Sequence, residues 1–478
     1  MKYSTTVGVE IHCELRTETK MFSSAPVSFH KVPNSMVNEI DLALPGTLPS
    51  VNKKAVEYAL AACMALDMEI DPVVRFDRKN YYYPDLPKGY QTTQQFHPVG
   101  KNGHVFLQID GIKKEIRIER LHMEEDTAQM FHKGDHTYID YNRAGIPLIE
   151  IVSAPDMSSG NEAAGYVEIL RNTLYYLGVS DAKMEEGSLR CDINVSVRPW
   201  DSEKLGVKTE IKNLNSISNI RKAVDYEVSR QIEILDAGKE VEPVTLRFEE
   251  TSGKTVFMRR KEESVDYRYF PEPNIPAIEL DPEWIGLIRA NLPELPEQRR
   301  VRYLREYGLS EYEAGVLVQD KELSDYFDKV CAHTKSYKTA SKYLLTGVLG
   351  YMNAGKIRPE DLKMNPADFA LLCDAVTDKT VYSSQAKSIL TKILEGADAK
   401  NLIQSANKGK VSDIGELAKA VKQVIGENPE AVKDYKSGKD RALGYLTGKM
   451  MKKTGGMADP AVISRLIKEE IDKSEREW

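Results

Sequence analysis

The sequence predicts an α+β fold in three parts: a mixed domain over 1–292 built on an antiparallel sheet, an all-helical domain over 293–407, and a small helical tail over 408–478. Three observations carry that division. Segments of period-two hydrophobic alternation recur through the first part and then cease. The run Leu292-Pro293-Glu294-Leu295-Pro296-Glu297 has the composition of a linker. Beyond it the apolar spacing is helical, with a second break near Gly409 after Ser405-Ala406-Asn407-Lys408. A chain of 478 residues is too long for one ordinary core, so two or three domains are expected.

Taken in order, Val7 to Leu15 sets apolar residues at odd positions and offers Glu10, His12 and Glu14 to the other face, because side chains alternate along a strand. Asn52 is placed to cap a helix whose Val56, Ala59, Leu60, Cys63 and Met64 share one face. Ile116-Arg117-Ile118-Glu119 begins a strand that ends in the acidic run His122-Met123-Glu124-Glu125-Asp126. Pro147 to Val152 is apolar on both faces except at Glu150, the pattern of a central strand. A helix from about Glu162 to Leu177 stops at Gly178. Leu189 to Val197 presents Arg190, Asp192, Asn194 and Ser196 on one face, and Val207 to Lys212 presents Lys208, Glu210 and Lys212. A third helix, from about Ser216 to Leu235, stops at Gly238.

Composition narrows the class. With 41% hydrophobic and 29% charged residues the chain reads as an ordinary soluble protein, and no apolar run is long enough to span a bilayer. The first residues lead straight into a strand pattern, without a signal-peptide core. Cys13, Cys63, Cys191, Cys331 and Cys373 are scattered with no CxxC pair. Neither a zinc site nor a disulfide framework is therefore expected, and a cytoplasmic protein with reduced thiols is. The net charge of −7 means that any nucleic-acid contact has to come from a local patch. From Ala406 onward, 15 Lys and Arg stand against 12 Asp and Glu. That basic appendage is either a solvated helical surface or a place for RNA phosphates. Ser252-Gly253-Lys254-Thr255 resembles the end of a P-loop, but Phe248 stands where its first glycine is needed. No GxSxG elbow and no Ser- and Gly-rich amidase segment is present, so the chain shows no means of releasing ammonia from glutamine.

If the alternating strands share one sheet, its polar face gathers Glu10, His12, Glu125, Glu150, Asp192 and Glu210, with Arg190, Lys208 and Lys212 between them. Oxygen ligands suit Mg²⁺, and interleaved cations suit the phosphates that Mg²⁺ bridges. Phosphoryl transfer uses that equipment. A site of His and carboxylates also suits Mn²⁺ or Zn²⁺. Solvation of a wet antiparallel face accounts for alternating Glu and Lys equally well. Glu150 is different, since a carboxylate in an apolar strand needs a compensating cation or hydrogen bond.

One loop, Phe76-Asp77-Arg78-Lys79-Asn80-Tyr81-Tyr82-Tyr83-Pro84-Asp85-Leu86-Pro87-Lys88-Gly89-Tyr90-Gln91, interleaves aromatic and basic residues, which suits either a packed Tyr-Pro loop or stacking on bases and ribose. This loop resembles the B subunit of the heterotrimeric aspartyl/glutamyl-tRNA amidotransferases. So do Val7 to His12, Leu121 to Asp126, Asp140 to Glu150, Gly187 to Ser196, Lys208 to Asn215, Tyr267-Arg268-Tyr269-Phe270-Pro271-Glu272-Pro273 and Gly444 to Gly456. The resemblance covers nearly the whole chain. It implies a cradle-like catalytic domain related to the glutamine synthetase fold, then a helical domain and a tail that binds tRNA. It implies that ATP phosphorylates the side-chain carboxylate of Glu-tRNA or Asp-tRNA. Ammonia then displaces the phosphate, delivered through a tunnel from a glutaminase A subunit, while the pair is braced by a small C subunit. Carried over by position, the family's metal site falls on His12, Glu125 and Glu150, a second acidic set on Glu10, Asp192 and Glu210, and the ammonia route on Lys79, Lys88 and Glu125. The expected cofactors are Mg²⁺ and ATP, with no zinc. Glu125, Arg190, Lys208 and Lys212 are the catalytic candidates, and Lys79, Lys88, Arg190 and Lys208 the nucleotide contacts.

Overall fold

The computed structural model describes residues 2–28, 31–109, 111–260, 266–408, 414–454, 458 and 460–473, and the chain divides into two compact units, Met1–Pro296 and Glu297–Trp478. The break between them falls in the Pro-rich linker. The second break, expected near Gly409, lies outside the described residues.

Unit 1 is built on a nine-stranded sheet. In chain order its strands are β1 (Tyr3–Glu14), β2 (Glu69–Ile70), β3 (Gly100–Ile109), β4 (Ile112–Glu125), β5 (Pro147–Ser153), β6 (Leu189–Pro199), β7 (Thr209–Lys212), β8 (Val244–Glu249) and β9 (Lys254–Arg260). In space they run β9-β8-β7-β6-β1-β5-β4-β3-β2. The sheet is mixed, not wholly antiparallel as the sequence suggests, because β7 and β8 run parallel. A parallel pair needs a crossover connection, and the helix Ile217–Asp236 supplies it.

Three long helices share the core with the apolar sheet face, α1 (Lys53–Ala65), α2 (Gly160–Leu177) and α3 (Ile217–Asp236), and the shorter helix Pro282–Ala290 adds Ile288 to it. Asn52 caps α1, its Oδ1 accepting from Lys54 N at 2.9 Å and Ala55 N at 3.2 Å. Ser159 caps α2, so that helix starts slightly earlier than the sequence pattern suggests, and Gly178 ends it at φ 71°. Gly160, the first residue of α2, has no substitute: a Cβ there would lie 2.6 Å from the Arg221 carbonyl oxygen of α3. Val7, Val9, Ile11 and Cys13 of β1 join Ile149 and Ile151 of β5, and Ile193 and Val195 of β6, beneath these helices. Each such side chain contributes about 2 kcal/mol of burial, and a one-residue slip would turn the whole set outward.

The pairing of β4 with β5 contains an irregularity that decides the site. Val152 pairs with Arg120 but the next residue, Ser153, pairs with Ile118, so Glu119 is an extra residue on β4. Ile116 and Ile118 point to the core before this bulge, and Leu121 and Met123 after it. Arg120, His122 and Glu124 are thereby turned to the polar face.

The aromatic loop enters a small sheet of Asp77–Asn80, Tyr90–Thr93 and Phe270–Pro271. Among the described residues, unit 2 contains only helical elements, from Pro296–Arg305 to Pro460–Lys473. It has two hydrophobic clusters, one drawn from Tyr303 to Ala399 and one from Leu417 to Ile471. No helix of the described residues is long and apolar enough to cross a membrane.

Candidate active site

Strand register assembles the site. His12 stands opposite Glu150 of β5 and Arg190 of β6, and Glu10 stands opposite Asp192. Glu150 stands opposite His122 of β4, and Asn194 opposite Glu210 of β7. Cross-strand partners share a face, so the polar positions of all five strands lie on one surface. The shared sheet that the alternation alone could only assume is present.

Among the described residues, one group has the spacing of a metal centre: His12, Glu124 and Glu150, with one ligand atom from each lying within 4.8 Å of the others. His12 Nε2 is 3.4 Å from Glu150 Oε2 and 3.8 Å from Glu124 Oε1. Burial alone would lower the His12 pKa, but the hydrogen bond and charge of Glu150, with Glu124 and Asp192 behind, push it up to about 9. Burial also works to raise Glu150, yet His122 and His12 outweigh it and hold this carboxyl well below its ordinary range. Glu124 goes the other way: burial, then the charge of Glu150, raises it. Glu124, buried beside Glu150, is thus left short of positive charge, a place that a divalent cation would fill. One imidazole with two carboxylates suits Mg²⁺ or Mn²⁺.

The third member of this group is Glu124, not the Glu125 that the sequence predicts. The bulge at Glu119 is the physical cause, because it shifts the alternation by one. Glu125 is buried elsewhere. It is paired with Lys88 and accepts from Thr92 N at 2.9 Å. Lys88 Nζ also lies 5.1 Å from the Tyr90 ring and 5.6 Å from that of Phe22. Lys79 lies over Tyr267 at 4.8 Å, and its charge is felt at Glu124. The loop's tyrosines are divided: Tyr81 packs edge-on against Tyr267, while Tyr82 is 96% exposed.

Glu10, Asp192 and Glu210 form a second cluster, which carries its own cation. Lys212 pairs with Asp192 and lies 3.1 Å from Glu210. Asn194 donates to Glu10 Oε1 at 2.9 Å, and Thr245 donates to Glu210 Oε2 at 3.1 Å. Burial, then the charge of Glu150, raises the Glu10 pKa. Lys208 precedes β7, is exposed, and lines a cleft with Glu10, Asn194 and Ser196.

Arg190 joins a third group. Its Nη2 donates to Asp126 Oδ2 at 2.9 Å, and Arg143 donates to the same oxygen from Nε at 2.7 Å. Arg190 Nε is buried without a partner among the described residues. Burial would raise Asp126, but the two guanidinium groups hold it below its ordinary value. Glu14, beside this pair, is pushed up to about 7 by burial and by Asp126, against the pull of Arg143 and Arg190. Sequence reasoning singles out none of Arg120, His122, Glu124, Asp126 and Arg143 as site residues. The signal for the first three is present in the spacing Ile116, Ile118, Leu121, Met123, whose step of three marks the bulge.

The chain matches the family model described as the GatB/GatE catalytic domain over residues 5–286 and that described as the GatB domain over 325–471. It is 46% identical over 474 residues to proteins of Staphylococcus aureus strains MRSA252, JH9 and Newman, covering 99% of this chain and 100% of each relative. Each of these relatives is named as the B subunit of an aspartyl/glutamyl-tRNA(Asn/Gln) amidotransferase. With family models spanning both units and full-length relatives at this identity, the chain belongs to the family of tRNA-dependent amidotransferase B subunits.

Proposed function

We propose that this chain transfers the γ-phosphoryl group of ATP to the side-chain carboxylate of Glu or Asp carried on a misacylated tRNA. Ammonia then attacks the acyl phosphate, phosphate leaves, and Gln-tRNA or Asn-tRNA results. The protein is on this reading a carbon–nitrogen ligase with glutamine as amido donor. The observation that carries it is the charge deficit at His12, Glu124 and Glu150 on a sheet face that also holds Arg190 and Lys212. A carboxylate is a poor acyl donor, and phosphorylation gives it a leaving group. Mg²⁺ at the cluster supplies charge neutralisation as two anions approach. His12, Glu124 and Glu150 would hold the ion, and Arg190, Lys208 and Lys212 would bind phosphate oxygens. A relation to the glutamine synthetase fold fits a shared need to activate a carboxyl group by phosphorylation.

The letter in the relatives' name fits a division of labour in which a glutaminase A subunit makes the ammonia and the pair is braced by a small C subunit. Lys88 paired with Glu125 suits a polar ammonia route. In unit 2, Lys449, Lys452 and Lys453 line a groove with Glu427 and Asn428, which suits the tail for tRNA phosphates. The reconstituted complex, given ATP, Mg²⁺ and hydroxylamine without glutamine, should yield ATP-dependent side-chain hydroxamate from Glu-tRNA(Gln) or Asp-tRNA(Asn), over the α-hydroxamate that hydroxylamine forms from the ester without ATP. Hydroxamate from free glutamate alone would show a small-acid ligase instead, and none from any substrate would leave an RNA-binding scaffold.

A further inference from the structure

His122 and Arg120 lie outside the metal cluster, yet both are tied to it. The Arg120 guanidinium rests on the strap that follows Thr93, donating from Nη2 to the Gln94 carbonyl at 2.8 Å and from Nη1 to the Gln95 carbonyl at 3.4 Å. The strap itself is fixed. The fully buried Gln94 side chain accepts from Met123 N and donates to the Arg75 carbonyl, each at 2.9 Å. Arg120 Nε then meets His122 Nδ1 at 3.3 Å.

A guanidinium has protons to give and no acceptor. Nδ1 of His122 therefore accepts, and the ring hydrogen resides on Nε2. Nε2 lies 3.1 Å from Glu150 Oε2. A ring in this tautomer donates to the carboxylate and has no Nε2 lone pair to offer a cation.

We propose that His122, its tautomer fixed by Arg120, is a positioning residue that orients Glu150 toward a divalent cation and is not itself a ligand. This rests on reading His12, Glu124 and Glu150 as a metal site. It explains why His122 is only 5% exposed while Arg120 is pinned to two carbonyls. Carboxylate ligands whose outer partners are removed lose about 10–100-fold in metal affinity.

Mn²⁺ binding to the full chain, followed by electron paramagnetic resonance, tests it. Wild type should show coupling to a single imidazole nitrogen, absent in His12→Ala. His122→Asn keeps an acceptor for Arg120 but loses the donor to Glu150, so its Kd should rise about 10–100-fold. His122→Gln places a donor where Nε2 stood and should recover most of that loss while keeping the single coupling. Arg120→Met, which frees the ring without touching Glu150, should weaken Mn²⁺ less than His122→Asn and shift the His122 ¹⁵N resonances away from a pure Nε2–H tautomer. It keeps the test open if His122→Asn fails to fold. Two coupled nitrogens in wild type, or unchanged affinity in both His122→Asn and Arg120→Met, would overturn the proposal. Absence of Mn²⁺ binding to wild type would overturn the metal reading and this inference with it, whereas binding that is insensitive to these variants sinks the inference alone.

Discussion

Two carboxylate clusters share one sheet face, and they differ in what balances them. Asp192 and Glu210 hold the Lys212 ammonium between them, and Glu10 takes a hydrogen bond from Asn194. Glu124 and Glu150 have imidazoles and no Lys or Arg within ion-pairing distance among the described residues. The Glu10 cluster thus has a fixed cation at two of its three carboxylates. A cluster without one leaves room for an external ion to offset its charge; burial, then the charge of Glu150, raises Glu124, and the same two causes raise Glu10.

The sharpest way to break this comparison is Glu150→Ala in the reconstituted complex. Loss of a ligand that helps an ion offset charge in phosphoryl transfer removes several kcal/mol, so hydroxamate formation should fall by about a thousandfold or more. Affinity for tRNA should not change, and normal hydroxamate formation would end the assignment. Next in size, Glu124→Gln should weaken Mn²⁺ by more than the about 10–100-fold typical of an outer partner, while Glu125→Gln leaves it unchanged. The reverse order, read by titration of the full chain, would restore Glu125 as the ligand. Smaller still, Lys212→Met strips the second cluster of its cation. If the internal cation is what separates the clusters, this variant should bind one more Mn²⁺ per chain than wild type. An unchanged stoichiometry would mean that geometry, not charge balance, distinguishes them.

Much of this is legible from residue order because period-two alternation is a strong local signal. The strands bearing Glu10, His12, Glu150, Asp192 and Glu210 can be written down with their polar faces, and helix boundaries at Asn52, Ser216 and Gly178 stand in plain view. Two things are not legible. Sheet order is a non-local property, so the adjacency of β1, β5 and β6 has to be assumed. At β4 a single extra residue, Glu119, reverses the parity, so alternation and family resemblance both point to Glu125 where the geometric cluster contains Glu124. Asp126 and Arg143 escape for a related reason: a buried ion pair 17 residues apart leaves no periodic trace.

The same reasoning about balance yields a last and smallest test at Glu14, which lies beside Asp126 but receives only what Arg143 and Arg190 leave over. Asp126 takes both guanidinium groups at 2.9 Å or less, and Arg143 Nε is 3.8 Å from Glu14. Glu14 accordingly stays protonated up to about 7, first because of burial and then because of Asp126. A carboxyl whose pKa is raised by folding stabilises the fold fully below its ordinary value of about 4.5 and loses that contribution as pH climbs through about 7. Up to about 3 kcal/mol is at stake, less what relaxation and coupling to Asp126 recover. Glu14→Gln keeps a neutral side chain of the same shape at every pH. Unfolding midpoints measured from pH 5 to 8 should therefore show wild type falling relative to this variant, the divergence growing from pH 5 to about 7 and levelling off above it. Parallel curves would mean that Glu14 ionises freely in the fold, and that the two arginines serve both carboxylates and not Asp126 alone.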